Sequence, residues 1–239
     1  MKNIFIAAFA ATFLFACNQN APQQTAKSTA GNYKKLFEKS MDLKDYHTAI
    51  VAVQMMLVED STLLSYRDSL PELYAAINNV DACAKTIDAA LNRHPKEEKF
   101  LQVKAIVQQE NGDYEGVLKT YTTLYETTQK LSYLYQIGTM HFQSGKLDEA
   151  SKIVEEVLAK APNSKDSLDI FVNEQQKQKV PILAAALNFK GYIFAQNRNL
   201  PEAKKYFENA IKVFPDFVMA KRNLQQLMSA GQKKASIVF

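Results

Sequence analysis

The chain has 239 residues, of which 47% are hydrophobic, so it is long enough to bury a substantial core. Its formal net charge of +4 is small, and charges of both signs are interspersed, which argues against a nucleic-acid surface with Lys and Arg gathered on one face. Glycine and proline are scarce, at seven each. Long segments rich in Ala, Leu, Glu, Lys and Gln favour helix, and few segments alternate with the period of a strand. The composition therefore predicts an all-α fold.

The N-terminal residues have the layout of an export signal. A lysine at position 2 is followed by an apolar run from Ile4 to Ala16, which contains one polar residue, Thr12, and is too short to span a bilayer comfortably. The sequence then turns polar at Asn18. We therefore predict a signal peptide over residues 1–16, followed by a polar tether over residues 17–30.

The end of this run, Leu14-Phe15-Ala16-Cys17, resembles the lipobox of bacterial lipoproteins, although Phe15 is bulkier than the usual residue there. The resemblance implies that Cys17 is lipidated and that its acyl chains anchor the protein to a membrane, since two or three chains give stable anchoring. Some surface-exposed lipoproteins of the Bacteroidetes type carry an acidic cluster after the cysteine. None follows Cys17, which favours the outer membrane facing the periplasm. The remaining cysteine, Cys83, is then a free thiol, and we expect it to be buried and inert.

Two segments share a regular spacing of large and small apolar residues. The first consists of Leu134, Ile137, Gly138, Ala150, Val154, Val157 and Pro162, and the second of Leu187, Gly191, Phe194, Ala203, Phe207, Ala210 and Pro215. This spacing resembles the tetratricopeptide repeat, a pair of antiparallel helices in which the glycine and alanines let the two helices approach closely. The resemblance implies a right-handed superhelical solenoid.

Weaker copies of the pattern extend upstream. The predicted units cover residues 30–63, 64–97, 98–130, 131–164 and 184–217, and the first of them carries only part of the pattern. An unpartnered amphipathic helix over residues 217–229 is predicted to cap the stack, as terminal repeats are atypical. The solenoid then spans residues 31–230, and residues 231–239 form a flexible tail.

An insertion separates the last two units. The closing prolines Pro162 and Pro215 lie 53 residues apart, where a period of about 34 is expected. The extra residues fall within 163–182, and Pro181 suits the first position of the next helix. The insertion is either a lengthened helix or ordered loop lying against the stack, or a docking element that projects from one face.

Helical spacing predicts which side chains line the concave face, where solenoids commonly bind. The predicted groove residues are Gln102, Tyr135, Thr139, Phe142, Asn188, Tyr192, Gln196 and Arg222. Some tetratricopeptide proteins bind a peptide's C-terminal carboxylate through a clamp of Lys, Asn and Arg side chains on this face. In this sequence the corresponding positions hold Tyr, Gln and Thr, so a carboxylate clamp is not expected. An aromatic and amide lining instead suits an extended peptide or loop.

No phosphate loop, nucleophile elbow or zinc motif is present, and the three histidines fall in different units. We therefore expect no catalytic residues, no cofactor and no metal site. The predicted function is a membrane-anchored adaptor of the bacterial cell envelope that binds another envelope protein or a peptide segment. Two alternatives remain: a component of an outer-membrane protein assembly machinery, by architecture alone, and a lipoprotein that binds a small ligand or glycan.

Overall fold

The computed structural model describes residues 30–235, with side chains described over residues 31–229. The predicted signal peptide, Cys17 and the last four residues lie outside this range. The described chain is helical except for one short hairpin. Its helices are α1 (Ala30–Asp42), α2 (Tyr46–Glu59), α3 (Leu64–Arg67), α4 (Leu70–Ala76), α5 (Val80–Arg93), α6 (Glu98–Glu110), α7 (Tyr114–Thr128), α8 (Leu131–Gln143), α9 (Leu147–Lys160), α10 (Ile182–Gln196), α11 (Leu200–Val213) and α12 (Val218–Ala235).

The helices stack as five pairs followed by α12. In each pair the first helix is called A and the second B, so the A helices are α1, α3 with α4, α6, α8 and α10. The all-α solenoid predicted from the sequence is confirmed. The cap helix extends to Ala235, beyond its predicted end at residue 229.

Every pair is joined by the same turn. One residue in each turn has a positive φ: Lys44, Asn78, Gly112, Gly145 and Arg198. The next residue donates its N–H to the carbonyl five positions earlier, over 2.8 to 2.9 Å, which satisfies a carbonyl at the end of helix A. In four of the five turns that same residue, an Asp or Asn, caps helix B with its side chain. This turn identifies the first unit more clearly than its apolar residues do, because they match only part of the repeat pattern.

The small and apolar repeat positions are the buried ones. Four residues after each cap, the B helices carry Ala49, Cys83, Val117, Ala150 and Ala203, and all of them are buried. Cys83 is therefore a buried free thiol, as predicted, and its Sγ donates to the carbonyl oxygen of Pro71 over 3.3 Å. Burial raises the pKa of this thiol, so at neutral pH it lacks the thiolate needed for reactivity.

The A helix of the second unit is broken into two short helices. α3 ends at Arg67 and α4 begins at Leu70, with Pro71 in its first turn. Proline suits the first turn of a helix but cannot continue one, because it lacks an N–H. The Ser69 hydroxyl donates to the carbonyl oxygen of Tyr66 at the break, which satisfies one of the freed acceptors.

The insertion forms a β-hairpin, and not the lengthened helix or ordered loop that was one of the two interpretations of its sequence. Strands β1 (Ser167–Phe171) and β2 (Lys177–Pro181) pair antiparallel, with Leu168 opposite Val180. Leu168 and Val180 are buried in the core of the last two units, whereas Asp169 and Phe171 face outward. Pro181 is the last residue of β2 and precedes α10, so it does not begin the helix as predicted.

Two polar side chains fix the hairpin against the solenoid. The Asp166 carboxylate accepts from the backbone N–H of Leu131, the first residue of α8, over 2.5 Å. The Gln178 side chain accepts from the N–H of Val218 and donates to the carbonyl oxygen of Asp216, at the start of α12. The hairpin segment thus accepts hydrogen bonds from backbone N–H groups at the N-termini of α8 and α12, which have no partner within their own helices. These bonds hold the hairpin against the solenoid.

Candidate binding groove

The A-side helices α8, α10 and α12 line one face of the C-terminal half of the solenoid. Their side chains and β1 of the hairpin enclose a pocket of about 480 Å³, named here the groove pocket. Its lining residues are Tyr135, Ile170, Asn188, Phe189, Tyr192, Met219, Arg222, Asn223 and Gln226.

Aromatic side chains form the floor and one wall of the groove pocket. Phe189 is buried, and its ring centroid lies 5.4 Å from that of Tyr135 and 5.6 Å from that of Phe142. The Phe142 ring in turn contacts the ring of Tyr192 at 5.3 Å. Such contacts hold the rings in defined positions and leave Tyr192 exposed at the mouth. Burial also raises the pKa of Tyr135, so its phenol is uncharged at neutral pH.

Two amide side chains also line the groove pocket. Asn223 of α12 donates through Nδ2 to Oδ1 of Asn188 on α10, over 2.9 Å. A primary amide has two donor hydrogens and an acceptor oxygen, so this one bond leaves each side chain with further capacity toward a ligand backbone. The contact also ties the cap helix to the last repeat.

The hairpin closes one end of the groove pocket. Ile170 on β1 contributes an apolar side chain to the lining, and Arg222 of α12 donates to the carbonyl oxygen of Val172 at the hairpin tip, over 3.4 Å. The insertion is therefore part of the wall of this site.

Four of the eight predicted groove residues meet here: Tyr135, Asn188, Tyr192 and Arg222. Phe142 contacts two lining rings without lining the pocket itself. Asn188 is more buried than a surface-lining residue, because it is hydrogen-bonded to the cap helix.

The other three predicted residues lie elsewhere. Gln102, on α6, donates to the Tyr133 hydroxyl over 2.5 Å. The Thr139 hydroxyl donates to the carbonyl oxygen of Gln136 within α8, and Gln196 is exposed near the end of α10. None of these three side chains lines the groove pocket.

Phe189, Met219, Asn223 and Ile170 line the groove pocket but were not predicted from the sequence. Phe189 and Asn223 lie one position from predicted residues, and Met219 lies three positions before Arg222, one turn away on the same helix. Ile170 was not predicted because the hairpin was not predicted, although Leu168, Ile170 and Val172 stand at alternate positions across β1 and the residue after it.

A larger cleft of about 650 Å³ lies between α5, α6 and α7. Its polar side chains bind one another: the Thr120 hydroxyl donates to Oε1 of Gln108 over 2.7 Å, and Lys104 lies 3.5 Å from Asp88. It offers no aromatic side chain for a ligand. The groove pocket is the better candidate because it combines apolar walls with a few convergent polar groups.

Within residues 30–235 no group of three or more His, Cys, Asp or Glu side chains is arranged to hold a metal ion. No helix in that range is both long and apolar enough to cross a membrane.

Comparisons with known proteins agree with this architecture. Residues 184–217 match the tetratricopeptide repeat. No curated protein sequence matches the chain.

Solved structures with a similar fold include a tetratricopeptide repeat protein from Parabacteroides merdae, with a TM-score of 0.65 and 17% identity, covering 86% of this chain and 76% of that one. Another is YrrB, described as a tetratricopeptide protein with an unusual peptide-binding site, at a TM-score of 0.59 and 16% identity, covering 81% and 90%. A third is MamA from Desulfovibrio magneticus, at 0.61 and 9%, covering 80% and 97%. At these identities the likeness concerns the fold alone.

Proposed function

We propose that this chain, a tetratricopeptide-repeat solenoid, is an adaptor that holds an extended segment of another protein in the groove pocket. The repeat fold supports protein–protein interaction in general. One observation carries the finer proposal: three helices and the hairpin bring an aromatic wall and a pair of amides around a single pocket of about 480 Å³.

The chemistry of the lining specifies the kind of segment. Tyr135, Phe189 and Tyr192 offer ring faces and edges to one apolar or aromatic side chain, which buries area at little entropic cost to the protein. Asn188 and Asn223 match the alternating donors and acceptors of an extended backbone. The lining carries one charged group, Arg222, so strong charge selectivity is not expected.

Replacing Tyr192 by alanine is expected to weaken peptide binding about tenfold, since a central aromatic anchor contributes ~1.4 kcal/mol or more. The probe is a random 12-residue peptide library displayed on phage, followed by fluorescence polarisation of the enriched peptides. Tyr114→Ala is the matched control, because Tyr114 is also exposed, at 56% against 40% for Tyr192, but lies on α7 and does not line the pocket. Enriched peptides that bind Tyr192→Ala, Asn223→Ala and the unchanged chain equally well would place binding outside the groove pocket.

A small apolar molecule is a second candidate occupant, because the volume of the groove pocket falls within the range of small-ligand sites. The same variants distinguish the peptide proposal from the small-molecule proposal. A small molecule that is found in a thermal-shift screen and does not bind Tyr192→Ala, together with a phage library that yields no enriched peptide, would favour the small molecule.

We further propose that Cys17 carries the acyl chains that attach the adaptor to a bacterial membrane, with the outer membrane facing the periplasm as the favoured location. The support is the apolar run from Ile4 to Ala16 and the lipobox-like Leu14-Phe15-Ala16-Cys17. The chain offers its own control, since its only other cysteine is Cys83.

Cys17→Ala is expected to remove the acyl mass from the N-terminal peptide and to abolish cleavage before residue 17, whereas Cys83→Ala leaves both unchanged. Mass spectrometry of the protein extracted from membranes measures both. An unmodified Cys17 in the unchanged chain would refute the anchor and leave the groove proposal standing.

A further inference from the structure

The first B helix carries an apolar stripe on its solvent face. Val51, Met55 and Val58 are 54%, 38% and 80% exposed. Their spacing of four and three residues puts them on one side of α2, one above the other. Large apolar side chains exposed side by side mark contact surfaces more often than singly scattered ones do.

The other four B helices show that the fold does not require apolar residues here. Counting from each cap residue, the positions equivalent to Val51, Met55 and Val58 are Lys85, Ala89 and Asn92 in α5, Lys119, Thr123 and Glu126 in α7, Lys152, Glu156 and Ala159 in α9, and Lys205, Asn209 and Lys212 in α11. The position of Val51 is a lysine in all four. None of these four helices carries a large apolar side chain at any of the three positions, and α2 is the exception.

The size of the stripe argues against a second copy of the chain as its partner. A stable interface buries about 800 Å² on each side. Three partly exposed side chains on two helical turns supply only a small part of that area. Few apolar groups suffice, however, when the partner surface is already held close by a tether.

The position of α2, close in the chain to the proposed lipid anchor at Cys17, points to a membrane as the tethered surface. Twelve residues lie between Cys17 and Ala30, the start of α1. They reach at most about 45 Å when fully extended. The first unit is therefore the repeat joined directly to the segment that carries Cys17, within reach of any bilayer that receives the acyl chains.

We propose that the apolar stripe of α2 inserts into the headgroup–acyl boundary of the membrane to which the chain is tethered. This inference rests on the proposed lipid anchor. Apolar side chains on one face of a helix bind this boundary in proportion to the area that they bury.

A tryptophan reporter tests the contact, since the natural chain has no tryptophan. Val58→Trp in the full chain, bound to phosphatidylethanolamine and phosphatidylglycerol vesicles that contain brominated lipid, is expected to show blue-shifted emission and at least twofold stronger quenching than Asn92→Trp. Asn92 occupies the equivalent position of α5 and is exposed as well. Equal quenching of the two reporters would overturn the proposal.

A second variant tests whether the stripe itself makes the contact. Adding Val51→Lys and Met55→Thr to Val58→Trp installs the residues that α7 carries at these positions, Lys119 and Thr123, so the fold is expected to tolerate them. Quenching is expected to fall to the level of Asn92→Trp, and unchanged quenching would overturn the proposal. A blue shift of Val58→Trp without vesicles would show that a protein segment or a second copy covers the stripe, which also overturns it.

The lipid anchor at Cys17 and the membrane contact of the apolar stripe can be refuted separately. Quenching is measured only on protein that floats with the vesicles, and acylation of Cys17 is read separately by mass. A floating but unacylated chain whose Val58→Trp is quenched contradicts the anchor and supports the stripe. An acylated chain whose two reporters are quenched equally supports the anchor and contradicts the stripe, and a chain that does not float contradicts both.

Discussion

Replacing Gly191 by valine is expected to lower the free energy of unfolding by about 3 kcal/mol, the upper end of the usual cost of overpacking a core. A Cβ at Gly191 would lie 2.8 Å from two ring atoms of Phe207 and 3.1 Å from the carbonyl oxygen of Ala203. Phe207 and Ala203 belong to the partner helix α11 and are buried, so neither has room to move. Urea denaturation followed by circular dichroism measures the loss.

Two variants connect this loss to the close approach of α10 and α11. Gly31→Val is the control, because a Cβ there meets no atom within 4 Å, and its effect is expected to stay within about 0.5 kcal/mol. The double variant Gly191→Val with Phe207→Leu is expected to lose less than the sum of the two single losses, since the smaller side chain relieves the contact. Strict additivity would mean that the Phe207 ring is not what excludes a side chain at Gly191.

Replacing Asp68 by asparagine is expected to cost about 1–3 kcal/mol at pH 7, and less at acid pH. Asp68 is buried at the junction of α3 and α4. Its carboxylate accepts from Nε of Arg93 over 3.0 Å and lies 3.1 Å from Nε2 of His94, at the end of α5. These contacts bind the broken A helix of the second unit to its B helix, so the neutral amide leaves Arg93 without its charged partner.

The pH dependence follows from the pKa of Asp68. Burial alone would raise this pKa, but the hydrogen bonds and charge of Arg93, and then of His94, outweigh burial and hold it below its ordinary value. The stabilisation is therefore fully present above the pKa of the unfolded chain, near pH 4, and is lost as the pH falls through the lower pKa of the folded state.

The measurement compares the unfolding free energies of the unchanged chain and Asp68→Asn at pH 7 and at about pH 3, where the difference is expected to shrink. Asp88→Asn serves as the control, because Asp88 is exposed and pairs with Lys104 at the surface, where a pair contributes little. A difference between chain and variant that is the same at both pH values would show that the Asp68 carboxylate is not held in its charged form.

The described part of the chain shows which features local sequence controls. Helix period, the small residues at Gly191, Ala203 and Ala210, and the turn at Gly145 predicted the repeat correctly. Each of these signals acts within a few residues or between two consecutive helices. The same periodicity assigned Tyr135, Asn188, Tyr192 and Arg222 to one face, and they do meet around one pocket.

Long-range contacts decided the rest. The hairpin depends on burying Leu168 and Val180 against the last two units and on Asp166 and Gln178 reaching helices that lie far from them in sequence. Asn223 becomes a groove residue only because α12 brings it to Asn188. The sequence by itself thus determined the repeat and its closely packed helix pairs. Only the tertiary structure determined the wall that closes the groove, because its stability comes from contacts between elements that no local pattern links.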